Sequence, residues 1–339
     1  LQPIYKQWEK QYHKNDTVWA KAQVMDLNGN LYIAGYTRSE GFITLKYNAS
    51  GMLKWVKQYS QVGSIKIPYA INTDANQNII VTGTSEGTYT NPQSITLVKY
   101  DSIGTVLWSN EVNIGSNLVV QNYGLKQTVD PSGNVYIVAT AMEYTTTNKD
   151  IIMLKFSSSG ALLWQKRING ATNLNDYGTS ICLDASQNVY IAGATETFSG
   201  HFVYSMQKYD KTGKKKWQYN YDFPNTNNDQ AYSIAIQNNS KVIVAGWSGS
   251  LALNTSGSLL WVENDGNGFA NSIININDTI SLIGGDLGFK ILNTNNGSAI
   301  TSVPIESARA YILDKNNFMY YLFSSNIINN YRIWSKSKR

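Results

Sequence analysis

The dominant pattern along the chain is a short apolar run fenced by turn-forming polar residues, met again and again. DLNGNLYIAG begins at Asp26, DANQNIIVTG at Asp74, DPSGNVYIVA at Asp130 and DASQNVYIAG at Asp184. Weaker copies follow as QNNSKVIVAG from Gln237, NINDTISLIG from Asn275 and DKNNFMYYLF from Asp314. The runs are rich in β-branched and aromatic residues and bounded by Asp, Asn, Ser and Gly, which predicts strands between turns. In Asp-x-x-Gly-Asn, Gly and Asn accept positive φ while Asp bonds its own backbone, so each motif predicts a tight hairpin. Successive starts lie 48, 56, 54, 53, 38 and 39 residues apart, a period that marks one repeated supersecondary unit.

A second landmark follows each of the first six. TLKYNASGMLKW ends at Trp55, LVKYDSIGTVLW at Trp108, MLKFSSSGALLW at Trp164 and MQKYDKTGKKKW at Trp217. LALNTSGSLLW ends at Trp261, and KILNTNNGSAIT carries Thr301 where the Trp is due. A Gly stands four residues before that position in every copy: Gly51, Gly104, Gly160, Gly213, Gly257 and Gly297. Each unit therefore holds four strands, and no segment keeps a helical period. Seven such units predict an all-β, seven-bladed β-propeller of four-stranded antiparallel blades in a single domain spanning 1–339. Blades are expected to start at about 18, 67, 121, 176, 229, 268 and 307. Lys6–Tyr12 nearly copies Leu53–Tyr59, with Trp8 matching Trp55, so residues 1–14 are expected to give blade seven its outer strand. Such closure removes exposed sheet edges.

These residues resemble a bacterial β-propeller repeat family with Asp-x-x-Gly-Asn-x-Tyr-x-x-Gly units. The second landmark is similar to the Asp-x-x-Gly-x-x-x-Trp turn of quinoprotein-type repeats, clearest from Asp101 to Trp108. The resemblance implies fold. It does not extend to quinone chemistry, whose enzymes are longer, commonly eight-bladed, and use acidic metal ligands and often a vicinal cysteine pair. Propellers host lyases, glycosidases, lectins and scaffolds alike, so function has to come from a site.

Composition narrows the choice. Hydrophobic residues make up 42%, charged 15% and aromatic 12%, against the profile of a disordered chain. One Cys excludes an internal disulfide, and two His cannot build the usual multi-histidine zinc site. A net charge of +5 is too small for its length to point to nucleic acid. No run is long and apolar enough to span a bilayer as a helix, and no cofactor is expected. The start Leu1-Gln2-Pro3 lacks a basic and apolar leader, and the 38 Asn fit a neutral-polar β protein of the periplasm or cell surface, processed to its mature form.

In an antiparallel meander, the turns joining strands one to two and three to four fall at one end of the blades. The remaining connections fall at the other end and vary in length, where binding residues concentrate. Glu40, Glu86, Glu143 and Glu196 recur after second strands, and Tyr89, Tyr144, Phe198, Tyr221 and Phe223 punctuate the same loops. Together they suggest an acidic, aromatic surface for a protein partner or a sugar, set against repeat ancestry with ordinary solvated charges. The Trp series reads as inter-blade packing, Cys182 as an inert strand cysteine, and His13 and His201 as surface histidines. Lys211 to Lys216 and Lys336 to Arg339 read as solvated basic surface.

No nucleophile–base pair, metal cluster or phosphate loop is apparent. The reading favoured is a non-catalytic interaction scaffold, a subunit of a bacterial envelope assembly such as outer-membrane insertion or secretion machinery. The alternative is a lectin-like carbohydrate binder. A glycosidase or lyase ranks third, because the innermost strands offer small neutral residues (Ala20, Ala22, Ala70, Gly124, Gly178, Ala231, Ala270), with only Asp176 and Asp229 as candidate acids.

Overall fold

The computed structural model describes residues 5–6, 11–12, 18–39, 41–60, 66–85, 94–115, 118–120, 125–143, 145–170, 172–198, 200–224, 226, 228–264, 270, 272–285, 288–303, 310–313, 319–322, 331–332 and 336–338. Among them there is no helix. Six antiparallel sheets of four or five strands follow one another along the chain from Trp19 to Val303, an arrangement consistent with a propeller. Sheet 1 holds Trp19–Met25, Leu31–Thr37, Gly41–Tyr47 and Leu53–Tyr59, and sheet 2 Lys66–Thr73, Ile79–Ser85, Ser94–Tyr100 and Val106–Asn113. Sheet 3 holds Leu118–Val120 with Lys126–Val129, then Val135–Glu143, Lys149–Phe156 and Leu162–Ile168. Sheet 4 comprises Asp176–Leu183, Val189–Phe198, His201–Tyr209 and Lys215–Tyr221. Sheet 5 comprises Ala231–Gln237, Lys241–Gly246, Ser250–Asn254 and Leu259–Glu263, and sheet 6 Ser272–Asn277, Ile280–Gly285, Gly288–Asn293 and Ala299–Val303.

Each first landmark is a hairpin locked by its aspartate. Asp26 N donates to Asn30 O at 2.9 Å and Gly29 N to Asp26 O at 3.0 Å. Asp26 Oδ1 accepts the amides of Asn28 and Asn30, and Oδ2 accepts Asn30 Nδ2 and the Tyr32 hydroxyl. Asp130 repeats this set, and Asp184 takes the same bonds from Asn188 and Tyr190. Ile80 replaces the tyrosine in sheet 2, and there Lys99 Nζ occupies the vacated Asp74 oxygen at 2.8 Å. The fourth position is left-handed in all four strong copies, but Gln77 (φ 62°) and Gln187 (φ 63°) stand where Gly29 and Gly133 do.

The glycine closing the landmark meets the innermost strand. A Cβ on Gly35 would lie 2.7 Å from Trp19 O. Gly83, Gly193 and Gly246 likewise face the carbonyls of Ile67, Tyr177 and Gln230, each beside a register shift in the first strand of its sheet. Sheet 3 has Ala139 at this position, and the described parts of its innermost edge pair Val120 with Ala141 and Lys126 with Val138.

The second landmark joins neighbouring sheets. A bulge interrupts the pairing of strands three and four in all six sheets, one residue before the Trp position. It turns the indole towards the next sheet, as bulges re-aim side chains. There the ring lies on the turn glycine: Trp55 on Gly104, Trp108 on Gly160, Trp217 on Gly257 and Trp261 on Gly297. The indole N–H donates to a carbonyl of the same turn, Trp108 to Ser158 at 3.0 Å, Trp217 to Thr255 at 3.1 Å and Trp261 to Thr294 at 2.8 Å. Lys46, Lys99 and Lys208 donate to the carbonyls Trp55, Trp108 and Trp217 use, and Lys155 to Lys211 O. The ammonium groups of Lys46, Lys155 and Lys208 also stand 4.6–5.1 Å from the tyrosine rings of their own sheets, a cation–π contact.

At the chain ends, Ala310–Leu313, Met319–Leu322 and Lys336–Lys338 pair in that order, and Tyr5–Lys6 borders the last of them through Tyr5↔Lys338 and Lys6↔Ser337. Gln11–Tyr12 pairs with Tyr331–Arg332. Trp8, the expected centre of the closing strand, lies outside the described residues, as do His13 and Gly124.

Gly160 has φ +88°, and a Cβ on it would stand 2.8 Å from the Trp108 ring. Gly160→Ala should therefore lose about 1–3 kcal/mol in a urea melt, whereas Gln187→Gly, relieving a left-handed non-glycine, should gain about 1 kcal/mol.

Candidate functional site

The hairpins gather at one end of the sheets, and the longer connections at the other. Of the residues expected on that loop end, Glu40, Glu86, Tyr89 and Tyr144 lie outside the described residues. The other five are brought to it, but two are not presented to solvent. Glu196 is 5% exposed; it accepts Asn175 N at 3.2 Å, Asn175 Nδ2 at 2.6 Å and Gly200 N at 2.7 Å. Burial pushes its carboxyl up, but these donors outweigh it and hold the group below the ordinary range. Phe223 is buried edge-on against Tyr204 and Tyr221, at ring separations of 4.9 and 4.8 Å. Tyr221 is half-buried in the same cluster. A loop that must satisfy its own amides and cover its own core consumes the side chains that composition alone would assign to a partner.

Glu143 stays near solvent but is tied to Arg167 at 2.7 Å, and Arg167 also pairs with buried Asp150. The hydrogen bond and charge of Arg167 hold Glu143 below the usual carboxylate range. Asp176 is buried and accepts Thr195 Oγ1 and Gly170 N, both at 2.5 Å; burial raises its pKa against those bonds. Asp229 is fully buried and accepts Phe223 N at 2.7 Å, Thr226 Oγ1 at 2.5 Å and the Ser248 hydroxyl. Lys66 is fully buried and ion-paired with Glu111. The described carboxylates here thus organise loops, and the acidic half of the expected surface shrinks accordingly.

What the loop end presents is aromatic. Phe198 is 62% exposed and lies flat on the His201 ring, centroids 4.5 Å apart and planes 3° apart. His201 meets Asp222 at 3.1 Å, so the expected surface histidine is in fact the floor of this stack. Beside it Tyr177 packs edge-on against Phe202, with Lys149 Nζ donating to the Tyr177 hydroxyl at 2.9 Å. On the adjoining loop of sheet 5, Trp247 is 48% exposed while its backbone amide donates to Gln230 O. A second cluster belongs to sheet 1: Trp19 stacks on Tyr36 at 5.0 Å, Arg38 stands over Trp19, and Lys21 stands over both Tyr36 and Tyr69 of sheet 2.

The sequence reading missed Trp19, Tyr36, Tyr69 and Trp247. A signal existed. Six of the nine tryptophans keep the repeat register, and Trp19 and Trp247 do not, so they are not accounted for by inter-sheet packing. Cys182 is half-buried in the first strand of sheet 4, and burial pushes its thiol far above the ordinary range, which keeps it unreactive. Among the described residues, no three His, Cys, Asp or Glu are grouped to hold a metal ion.

Comparison with solved structures identifies the architecture. The chain aligns with a structure named the Dos1 propeller over 93% of its own length and 77% of that chain, at 11% identity and a TM-score of 0.59. It aligns with a Dyadobacter fermentans protein of unknown function over 100% of both chains, at 10% identity and a TM-score of 0.58. It also aligns over 99% of its length with a chain named as the extracellular domain of a one component system from B. thetaiotaomicron, covering 42% of that chain at 11% identity and a TM-score of 0.60. No protein-family model matches the chain, and no curated protein does. The fold is a β-propeller, and likeness at this level of identity shows the fold alone.

Glu196→Gln should unfold at lower urea than the parent at pH 7, because the amide cannot accept from all three donors. Since the Glu196 pKa is lowered in the folded state, its contribution is present above the unfolded value of about 4.3 and lost as pH falls through the folded one. The gap between variant and parent should accordingly close on acidification in a series of urea melts.

Proposed function

We propose that this chain is a closed seven-bladed propeller that serves as a non-catalytic protein-interaction scaffold, a subunit of a bacterial envelope assembly such as an outer-membrane insertion or secretion complex. Closure is supported by the strand Ala310–Leu313, which touches both Ser272–Asn277 and Trp19–Met25, and by the pairing of Tyr5–Lys6 with Lys336–Lys338. The terminal strands then constitute blade seven. An extracytoplasmic site, periplasm or cell surface, is supported by the neutral-polar, asparagine-rich composition.

The observation that carries the functional reading is that Phe198 and Trp247 are both exposed at the loop end, on the neighbouring sheets 4 and 5, beside the ring contacts Phe198–His201 and Tyr204–Phe223. Large aromatic side chains held in place at low entropic cost are the usual anchors of protein interfaces. The saturated hydrogen bonding of Asp176 and Asp229 supports a structural use of both acids. The flat Phe198–His201 stack favours a second reading, a platform for a sugar ring, as in a lectin-like protein.

Crosslinking of the tagged chain in native envelope extracts tests the first reading. Crosslinks should map to the loop end, and Phe198→Ala with Trp247→Ala should cut partner recovery at least about fivefold, while Leu163→Ser should leave it unchanged. Equal losses in both would overturn the assignment. Glycan-array binding abolished by Phe198→Ala would transfer the site to the second reading.

A further inference from the structure

The hairpin end carries a feature that the loop-end reading does not use. The bulge before each Trp position leaves one residue pointing outward: Lys54, Leu107, Leu163, Lys216, Leu260 and Ile300 in sheets 1 to 6. The four apolar ones are between 47% and 54% exposed. Val106, Leu162 and Leu259 beside them, and the hairpin residues Leu27, Met52 and Ile103, are exposed as well. Folding does not require this. Lys54 and Lys216 occupy the same bulge without loss of the register, so nothing in the fold demands an apolar side chain there. Exposed apolar residues on an outer edge strand are, moreover, an aggregation hazard that proteins ordinarily avoid.

Among the described residues, the exposed charge at this end is mostly cationic. Asp26, Asp74, Asp101, Asp130, Asp184 and Asp210 turn an oxygen onto the amides of their own hairpins, and Asp278 is the exposed exception. Lys54, Lys211, Lys214 and Lys215 are exposed. Between sheets 3 and 4, Lys166, Lys214 and Lys215 line an open groove of about 570 Å³, whose far wall includes Arg167, paired with Glu143 and Asp150 at the loop end.

We propose that the hairpin end is a docking surface for an anionic lipid bilayer. Exposed apolar side chains recur on five of the six sheets, at Met52, Leu107, Leu163, Leu260 and Ile300, with lysines in their place on sheet 4, and they are separated by polar turns instead of forming one patch. A protein partner would match a contiguous patch; a bilayer interface is laterally uniform and meets every point of a ring together. The lysines between those points fit anionic headgroups, and the groove between sheets 3 and 4 offers one phosphate-bearing headgroup a lined seat. Docked this way, the disc holds its aromatic loops away from the membrane. The proposal does not depend on what those loops bind.

Vesicle co-sedimentation tests it. The chain should pellet with vesicles of phosphatidylglycerol and phosphatidylcholine, much less with phosphatidylcholine alone, and less as salt rises to about 0.5 M. Leu107→Ser, Leu163→Ser and Leu260→Ser combined should weaken binding at least about tenfold, and so should Lys214→Glu with Lys215→Glu, which leaves every apolar contact in place and guards against misfolding of the first variant. Phe198→Ser with Trp247→Ser should bind as the parent does. Absence of pelleting by the parent, undiminished binding by the Lys214 and Lys215 variant, or loss confined to the Phe198 and Trp247 variant would overturn the proposal. Binding by the parent to a soluble protein through the leucines, with no affinity for vesicles, would do so as well.

Discussion

The fold rests on one repeated contact, a tryptophan of one sheet laid on a turn glycine of the next. Sheets in a propeller share no backbone ladder, so cohesion between them has to come from side chains. The indole supplies apolar area at each joint and, at all but that of Trp164, a hydrogen bond to a turn carbonyl as well, and burial of such a side chain contributes about 2 kcal/mol or more. Every other element of the second landmark follows from this contact. The bulge aims the ring, the glycine admits it, and the lysine of the third strand bonds the same carbonyl.

This explains why the fold was legible. The landmark residues are those whose chemistry is local and strict: aspartate for hairpin amides, glycine for left-handed backbone, asparagine for the second carboxylate oxygen. Because each is tied to a position four or six residues away, the register survives in the sequence. Deviations are legible in turn. Ile80 in place of tyrosine goes with the ion pair of Asp74 and Lys99. Gln77 and Gln187 could not have been foreseen as left-handed from their own preferences; only their alignment with Gly29 and Gly133 implies it.

The site was less legible, and for a physical reason. A loop glutamate looks the same in sequence whether it faces water or satisfies amides, and Glu196 does the second. Phe198 and Phe223 are equally apolar, yet the first stands out on a histidine while the second is sealed beneath Tyr204. Burial is decided by what lies across the loop, which no local pattern records. The two ends of the molecule consequently differ in kind. One displays aromatic rings over hydrogen-bonded acids; the other displays isolated leucines among lysines.

Thr301 leaves sheet 6 without a clamp. Sheet 6 alone among the six has no indole to hand forward, since a small hydroxyl side chain fills that place. Whatever packs on the far side of sheet 6 does so without the indole that serves the five joints before it. A small hydroxyl there forgoes both the apolar area and the N–H donor, so the run of sheets is gripped least at that edge.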